Sequence, residues 1–500
     1  MTKENNSLTK RFFRGGLIII FFSALTTPLG YFVRMIFSRS LSITDYGLIY
    51  AVLSFFGIFT VLNDLGFGYA SSYFIPKYYQ QNKLDLCWLL YKYDQIIEVC
   101  TSIVLSLIFI LSSDFLSVYF FKHSGAKELI LLFSLYLISN GIISSIQNFL
   151  IGLQKDTYYS SIEFFRLCFT LLFSFFFFLF DITNVLYYAG AFVLAYLLLS
   201  LLYLILIQVM FRQFKTQLVW KPDLFNRAME YALPTFFTSS LYSFISYMDI
   251  IFLTYYSNLE SVGVYNVIFP IVSVSILLLQ PIQKMILPLV SELSDNNKQK
   301  LEILMNELLK IVPFIGIYFA LFTFMFSKGI ISMMFGYKWV SDANMPLKIM
   351  SIAYSMSLFK IYLTVVAAGL GEVKKRLNVA VILLILSVIS GAIGAKYFGI
   401  QGVIIANSLV FLASIVLIFR IISQRILVQI PFTLYLKMIV FSALLLFVRS
   451  MFAYDPISVP EIFILGLLYT VLMTLIAIKS KVIDMKLLLS SVNSLFVFRK

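Results

Sequence analysis

The sequence predicts an all-α polytopic membrane protein with about 14 transmembrane helices, and three observations lead to this prediction. The 500 residues are 61% hydrophobic, and their mean hydropathy is +0.94. Only 12% of the residues are charged, whereas about 25% is usual in soluble proteins. Fourteen apolar stretches, each about as long as one membrane-crossing helix needs to be, follow one another along the chain.

Each predicted span begins and ends where an apolar run meets polar residues, which fixes its ends to about 2 to 4 residues. The first span, 15–37, is too long for the apolar region of a signal peptide and lacks a small-x-small cleavage site, so we expect it to be retained. The other predicted spans are 47–70, 93–112, 128–152, 160–180, 187–210, 230–253, 263–290, 307–327, 345–370, 377–395, 400–419, 438–452 and 461–478.

The distribution of basic residues predicts the orientation of these spans. If the N-terminus is cytoplasmic, 25 of the 38 Lys and Arg residues lie in inner segments, six in outer loops and seven within spans. Basic residues mark the cytoplasmic side of a membrane protein. The sequence therefore predicts a multi-pass protein of the cell (cytoplasmic or inner) membrane with both termini inside. The net charge of +14 reflects this topology, and we expect no nucleic-acid partner.

Several chemical classes of function are disfavoured by what the sequence lacks. One histidine, His123, rules out a clustered histidine metal site and a His-based catalytic triad, so neither a metal nor a cofactor is expected. The three cysteines, Cys87, Cys100 and Cys168, are too scattered for a disulfide framework. No inner segment contains a GxxxxGK[ST] phosphate loop, so the chain is not expected to hydrolyse ATP. A secondary transporter, rather than an enzyme, is favoured.

An internal repeat relates the two halves of the chain. Gly47 and Gly263, each at the start of a predicted span, lie 216 residues apart in similar surroundings, and Gly152 and Gly369 lie 217 residues apart. Similar entries to spans 6 and 12 give an offset near 212. Six spans separate the copies, so the halves run in the same direction, are related by a pseudo-two-fold along the membrane normal, and are expected to hold the substrate between them.

The repeat predicts two six-helix bundles followed by two additional helices. The predicted divisions are a cytoplasmic N-terminal segment at 1–14, an N-terminal bundle at 15–210, a cytoplasmic linker at 211–229, a C-terminal bundle at 230–420, helices 13 and 14 at 421–478, and a cytoplasmic tail at 479–500.

Several motifs resemble the signatures of one transporter family. The stretches 34–47 (RMIFSRSLSITDYG), 64–68 (DLGFG) and 73–79 (YFIPKYY) are similar to the signature of spans 1 and 2 in polysaccharide flippases of the multidrug/oligosaccharidyl-lipid/polysaccharide exporter superfamily. In the second half, 248–265 and 399–406 are similar to the starts of the corresponding spans. The resemblance covers about residues 10–420 and is more specific for the superfamily than for the substrate.

This resemblance implies fourteen helices and the export of a lipid-linked oligosaccharide, with undecaprenyl pyrophosphate as the expected carrier, for a surface polysaccharide. Membrane lipids, and possible polymerase and glycosyltransferase partners, follow from the same resemblance. A pyrophosphate that crosses hydrocarbon needs basic groups facing a wet cavity, because an unpaired charge at the bilayer centre costs about 2.5–3.5 kcal/mol or more. The candidate substrate-binding residues are Arg34, Lys284 and Lys360, all within predicted spans.

Acidic residues within the spans are candidates for a gate or for ion coupling. Asp64, Asp249 and Glu163 are the residues we select, and for Asp64, which precedes Leu65 and Gly66, a capping or loop-fixing role is an equal alternative. Glu163 stands three residues before Arg166 and is also expected to form a local ion pair with it. Asp94 and Glu98, four residues apart at the predicted start of span 3, either repel each other or are solvated at the membrane surface, and we favour solvation.

Three alternative functions remain open on the sequence alone. A cation-coupled multidrug exporter of the same superfamily would need an acidic cavity, and the balance of basic and acidic span residues disfavours it only narrowly. A membrane glycosyltransferase or polymer ligase would need a large outer loop, whereas the longest predicted outer loop has about 17 residues. A non-transporting scaffold would have no need of charges at mid-membrane.

Overall fold

Helices form all the regular secondary structure in the described part of the computed structural model, which comprises residues 3–214, 220–451, 459–480 and 482. Most of the predicted tail at 479–500 and part of the predicted linker at 211–229 therefore lie outside the described residues. The helices, in chain order, are α1 Lys3–Ser40, α2 Ile43–Asp64, α3 Phe67–Gln80, α4 Leu84–Leu111, α5 Ser113–Phe115, α6 Ala126–Gly152, α7 Asp156–Leu179, α8 Val185–Met210, α9 Pro222–Tyr256, α10 Leu259–Asn296, α11 Lys298–Met325, α12 Ser327–Phe335, α13 Val340–Gly369, α14 Val373–Ser423, α15 Phe432–Met451 and α16 Val459–Lys479.

The predicted spans correspond to these helices. Eleven segments of the described residues are long and apolar enough to cross a membrane. One of them, Lys375–Ser423, contains two predicted spans, 377–395 and 400–419, because Gly399 at φ 56° and ψ −138° interrupts α14. The helices α9 and α15 occupy the two remaining predicted spans. The predicted fold class, all-α with about 14 transmembrane helices, is confirmed.

One predicted span, 47–70, has the wrong boundary. The helix α2 ends at Asp64, because Leu65 (φ 46°) and Gly66 (φ 78°) adopt left-handed conformations that no α-helix continues. A side chain at Gly66 would also place its Cβ 2.3 Å from the carbonyl oxygen of Ala232 on α9. Glycine at this position therefore permits both the turn and the close approach of α9, and α3 begins directly afterwards.

Short polar residues begin several helices at the ends of apolar runs. The hydroxyl of Ser42 accepts a hydrogen bond from the backbone N–H of Asp45 at 3.0 Å and donates to its carboxylate at 2.7 Å. Asn184 caps α8 and Asn297 caps α11 in the same way, each through its side-chain oxygen. These caps satisfy amide groups that a helix leaves without partners in its first turn, so they fix where the spans begin.

The chain divides into two compact units, Met1–Gly263 and Val264–Lys500. A hydrophobic core of the first unit is built around Trp88, Tyr91 and Phe149, and Ala228 and Ala232 of α9 belong to it. In the second unit a core joins residues of α10, α11, α13 and α14. The helix α9 thus packs with the first unit, whereas the sequence predicts it as the first helix of the second bundle. The predicted bundle boundaries stay a prediction.

Candidate functional site

Arg34 lies on α1 among tyrosine side chains and is half-buried. Its guanidinium carbon is 4.8 Å from the centre of the Tyr50 ring on α2. Tyr46, also on α2, and Tyr31 are further groups that interact electrostatically with the guanidinium. A cation–π contact orients a guanidinium without neutralising it, so Arg34 keeps its positive charge beside these rings. This arrangement follows from the sequence, because α2 begins only nine residues after Arg34 and returns alongside α1.

Lys360 lies on α13, two-thirds of the way along the helix, and is half-buried. Its Nζ is 5.0 Å from the centre of the Phe411 ring on α14. Within the described residues the ammonium has no hydrogen bond and no carboxylate partner. The ion pair that would make Lys360 purely structural is therefore missing from this part of the protein, and the cation meets an aromatic face instead.

The other candidate residues from the sequence lie in different surroundings. Lys284 belongs to α10, but its side chain lies outside the described residues. Asp249 lies on α9 next to the buried Met248 and is half-buried. Asp64 ends α2, where its Oδ1 accepts a hydrogen bond from the Gly66 N–H at 2.8 Å. The carboxylate of Asp64 therefore holds the turn between α2 and α3.

Glu163 and Arg166 form the local ion pair expected from their spacing on α7. The Nε of Arg166 donates to one carboxylate oxygen of Glu163 at 2.8 Å, and a second guanidinium nitrogen donates to the other oxygen. The rings of Phe192 and Tyr196 on α8 lie 5.4 and 5.2 Å from the guanidinium carbon. Because bidentate pairing and aromatic contacts orient the guanidinium, a structural role accounts for these two residues.

The expectation that Asp94 and Glu98 are solvated is wrong. Both are 0% exposed. The reason is that α4 begins at Leu84, nine residues before the predicted start of span 3, so the two acids lie about three turns inside the helix. Asn148 of α6, which the sequence analysis did not single out, donates to both carboxyl groups. The sequence does contain a signal for Asn148, because a polar amide side chain is unusual within an apolar span.

The glycines that define the repeat meet in the structure. A Cβ on Gly47 would lie 1.8 Å from the carbonyl oxygen of Leu259 and 3.0 Å from the backbone nitrogen of Gly263. Thr44 donates a hydrogen bond to Glu260 at 3.3 Å, and these two residues are also 216 apart. These contacts bring the start of α2 against the start of α10, within the first unit.

A charged cluster outside the candidate spans links the two ends of α14, with Glu372 before the helix and Arg425 after it. Arg425 donates a hydrogen bond to Glu372, and the ammonium of Lys375 lies 3.3 Å from the same carboxylate. The hydrogen bond from Arg425, together with these charges, holds the pKa of Glu372 below its usual value. Because this pKa is lower in the folded chain than in the unfolded chain, the ion pairs stabilise the fold above the unfolded pKa and weaken as the pH falls through the folded pKa.

The described residues contain no group of three or more His, Cys, Asp or Glu side chains that could hold a metal ion. Among the described residues, the charged features named above are cations beside aromatic rings, local ion pairs and a buried carboxyl pair. Such groups can bind an anion or a small cation within apolar surroundings.

Comparisons with known proteins relate the chain to a family of polysaccharide biosynthesis. A family model described as polysaccharide biosynthesis protein matches residues 12–294. An uncharacterized membrane protein of Methanocaldococcus jannaschii is 24% identical over 338 residues. This match covers 64% of the present chain and spans 66% of the length of that relative.

Solved structures share the fold over most of the chain. The lipid II flippase MurJ, in an inward closed conformation, matches with a TM-score of 0.73 at 15% identity, over 93% of this chain and 100% of the other. A multidrug resistance transporter of the MATE family of the MOP superfamily, in an inward-facing conformation, matches with a TM-score of 0.65 at 16% identity, over 80% of this chain and 94% of the other. At sequence identities this low, the structural matches show a shared fold alone.

Proposed function

The chain belongs to the polysaccharide biosynthesis protein family, and from this premise we propose that it is a flippase. Its proposed substrate is an oligosaccharide linked to a lipid, with undecaprenyl pyrophosphate as the carrier. The protein moves this substrate across the cytoplasmic membrane by alternating access, for the synthesis of a surface polysaccharide. The proposed partners are this substrate, membrane lipids, and a polymerase and glycosyltransferases that act before and after it. We propose that the chain itself is not an enzyme.

The observation that carries this proposal is the state of Lys360. Its ammonium has no ion pair or hydrogen bond within the described residues and lies over the ring of Phe411. Lys360 is nine residues from the end of α13 at Gly369, which is about 14 Å along the helix axis and too far for easy snorkelling. A lysine kept charged at this depth is costly unless an anion approaches it. The pyrophosphate of the lipid carrier supplies that anion.

Arg34 supports the same proposal from the first unit. The tyrosines around its guanidinium supply aromatic faces and hydroxyl groups, which suit both a phosphate and the sugar attached to it. Lys284 remains the third proposed substrate-binding residue.

A transport assay with purified protein tests the proposal directly. Proteoliposomes are prepared with a labelled undecaprenyl-pyrophosphate oligosaccharide, and a glycosidase that cannot cross the membrane is added outside. Wild-type protein is expected to make the inner-leaflet fraction of the substrate accessible to the enzyme, whereas liposomes without protein leave it protected. Equal protection in both preparations would refute the flippase.

A multidrug exporter is the second candidate, because the buried acids Asp94 and Glu98 give the first unit the negative charge that cationic drugs require. The same proteoliposomes distinguish the two functions. A flippase is expected to leave the uptake of a lipophilic cation such as ethidium at the background rate. Ethidium transport above background, without movement of the oligosaccharide lipid, would favour the multidrug exporter.

The proposed orientation of the chain is tested by cysteine labelling. The native cysteines are replaced, and single cysteines are introduced at Ser124 or Gln299, both of which are exposed. A reagent that cannot cross the membrane is expected to label Ser124→Cys in intact cells and to label Gln299→Cys only after the cells are opened. Gln299 is chosen over Asn297 because Asn297 caps α11. Labelling with the opposite sidedness would reverse the topology.

Arg34 and Asp249 are proposed to form a gate near the predicted outer ends of α1 and α9. The repeat places them 13 and 14 residues before Gly47 and Gly263, respectively. Either single change, Arg34→Asp or Asp249→Arg, is expected to reduce export by about tenfold, and the double change to restore part of it, since coupling between gate residues is typically 1–3 kcal/mol. Export by the double variant that is as low as in the worse single variant would exclude the gate.

A further inference from the structure

Two carboxyl groups, those of Asp94 and Glu98, are fully buried in the first unit. They stand four residues apart on α4 and therefore share one face of the helix. The Nδ2 of Asn148 on α6 lies 3.1 Å from Oδ2 of Asp94 and 3.2 Å from Oε1 of Glu98. A single amide group thus donates to both carboxyl groups and holds them side by side.

No basic side chain within the described residues pairs with either carboxyl. The polar and titratable groups that face the pair are Asp64 of α2, Asn148 and Ser144 of α6, and Tyr91 of α4 itself. The other described elements in contact with α4 are α3, α5, α9 and the turn Arg212–Phe214. Of their charged residues, Asp249 of α9 is half-buried, and the others are exposed: Lys77, Asp114, Arg212, Asp223, Arg227 and Glu230. Negative charge on the pair is therefore not balanced by the surrounding helices.

Several buried polar atoms beside the pair also lack a hydrogen-bond partner among the described residues. They include Oδ1 of Asp94, Oε2 of Glu98 and the hydroxyl of Ser102, one turn further along α4. Both side-chain polar atoms of Asn63 on α2 belong to the same set, and Asn63 is 1% exposed. The hydroxyl of Thr101 donates to the main-chain carbonyls of both Asn63 and Glu98, which places Asn63 against this part of α4. Buried groups in this state indicate a ligand that bonds to them.

We propose that Asp94 and Glu98 form a proton-binding site, with Asn148 as a positioning residue, and that the bound proton is exchanged across the membrane during export. This inference rests on the proposed function. Two adjacent carboxylates cannot both remain ionised in apolar surroundings without a counter-charge. One proton forms an O–H bond with one carboxyl and leaves the other charged, while the amide of Asn148 stabilises the charged form. Release of the proton breaks that O–H bond, and no electrons are transferred.

A proton fits this site better than a metal cation. No third His, Cys, Asp or Glu joins the pair in a group that could hold a metal within the described residues. The shared amide of Asn148 presents hydrogens, which repel a metal ion but stabilise a carboxylate. The position of Asp64 also suits the transfer of a proton between carboxyl groups, because Asp64 interacts electrostatically with both members of the pair.

Infrared difference spectroscopy of the whole protein in lipid tests the site without any assay of export. The wild type is expected to show the C=O stretching band of a protonated carboxyl at neutral pH, where exposed acids are ionised. Asp94→Asn and Glu98→Gln should each remove or displace this band. The matched control is Asp114→Asn, which alters a carboxylate that is 76% exposed and should leave the band unchanged.

A band that persists unchanged in both Asp94→Asn and Glu98→Gln would overturn the proton site. If either variant fails to fold, Asn148→Ala provides a second test, since it keeps both carboxyls and removes the shared amide. Loss of that amide is expected to move the pH at which the band disappears. An unmoved titration would count against the role of Asn148 and against the paired site.

Proteoliposomes with a pH gradient test the exchange of the proton. Wild-type export of the labelled oligosaccharide lipid is expected to rise about tenfold with the gradient, a typical coupling between two ligands, and the rise should vanish in Asp94→Asn and Glu98→Gln. An export rate that does not change with the pH gradient would overturn the inference. Export driven by a sodium gradient at equal pH on both sides would also overturn it. If the infrared band behaves as expected and no oligosaccharide lipid moves under any gradient, the proposed substrate is wrong and the proton site stands.

Discussion

Replacement of Lys360 with alanine is expected to abolish surface-polymer export while the protein stays in the membrane at its normal level. The ammonium lies deep in α13 over the ring of Phe411 and has no ion pair within the described residues. Its removal therefore leaves no orphaned carboxylate in that region and should not weaken the fold. A pyrophosphate that crosses without this cation loses about 2.5–3.5 kcal/mol of compensation, a reduction of roughly 100-fold in rate.

Three further variants separate charge from packing at this position. Lys360→Arg keeps the positive charge and should retain most of the export, whereas Lys360→Met keeps the length without the charge and should behave like alanine. Lys396→Ala removes an exposed lysine of the same unit and should export normally. Polymer amount is measured on the cell surface and protein amount in the membrane fraction. Normal polymer in Lys360→Ala at normal protein level would remove Lys360 from the substrate site.

Replacement of Gly47 with valine is expected to separate the start of α2 from the start of α10. The Cβ would lie 1.8 Å from the carbonyl oxygen of Leu259, so the backbone has to move by more than about 1 Å. Overpacking of this kind typically costs about 1–3 kcal/mol, which changes an equilibrium by roughly 5- to 150-fold. Because Gly47 lies where repeat-related residues meet, a lasting separation there should stop export.

A cysteine at Ala51 reports this movement. Ala51 lies one turn after Gly47 on α2 and is 0% exposed, so Ala51→Cys alone should react slowly with a reagent that cannot cross the membrane. In combination with Gly47→Val it should react at least about tenfold faster. Gly190→Ala is the matched control, since a Cβ at Gly190 meets nothing within 4 Å. Slow labelling and normal export in Gly47→Val would show that this close approach is dispensable.

The interpretation of individual residues from sequence succeeded where the relevant contacts are local. Glu163 and Arg166 are three residues apart on one helix, so their ion pair follows from helical geometry alone. Asp64 precedes Leu65 and Gly66, and a carboxylate in that position commonly accepts a backbone hydrogen bond, as it does here. Lys360 could be placed deep in a span by counting residues.

The prediction of solvent exposure from sequence failed where a span begins with polar residues that become buried only through tertiary packing. Hydropathy places the start of the span in α4 at residue 93, among Lys92, Asp94 and Glu98, so the two acids are expected at the membrane surface. The helix nevertheless extends back to Leu84, and α2, α3 and α6 pack around its first turns. Burial of Asp94 and Glu98 depends on those neighbours, which are remote in sequence.

The sequence by itself determined the fold class, because composition and the length of apolar runs are local properties that hydrocarbon selects directly. It also revealed the repeat, since Gly47 and Gly263 recur at a fixed offset. Only the tertiary structure decided which residues meet: that those two glycines contact each other, and that Asn148 joins Asp94 to Glu98. The physical reason is that such contacts depend on where separate helices cross, and hydropathy along one helix carries no information about its neighbours.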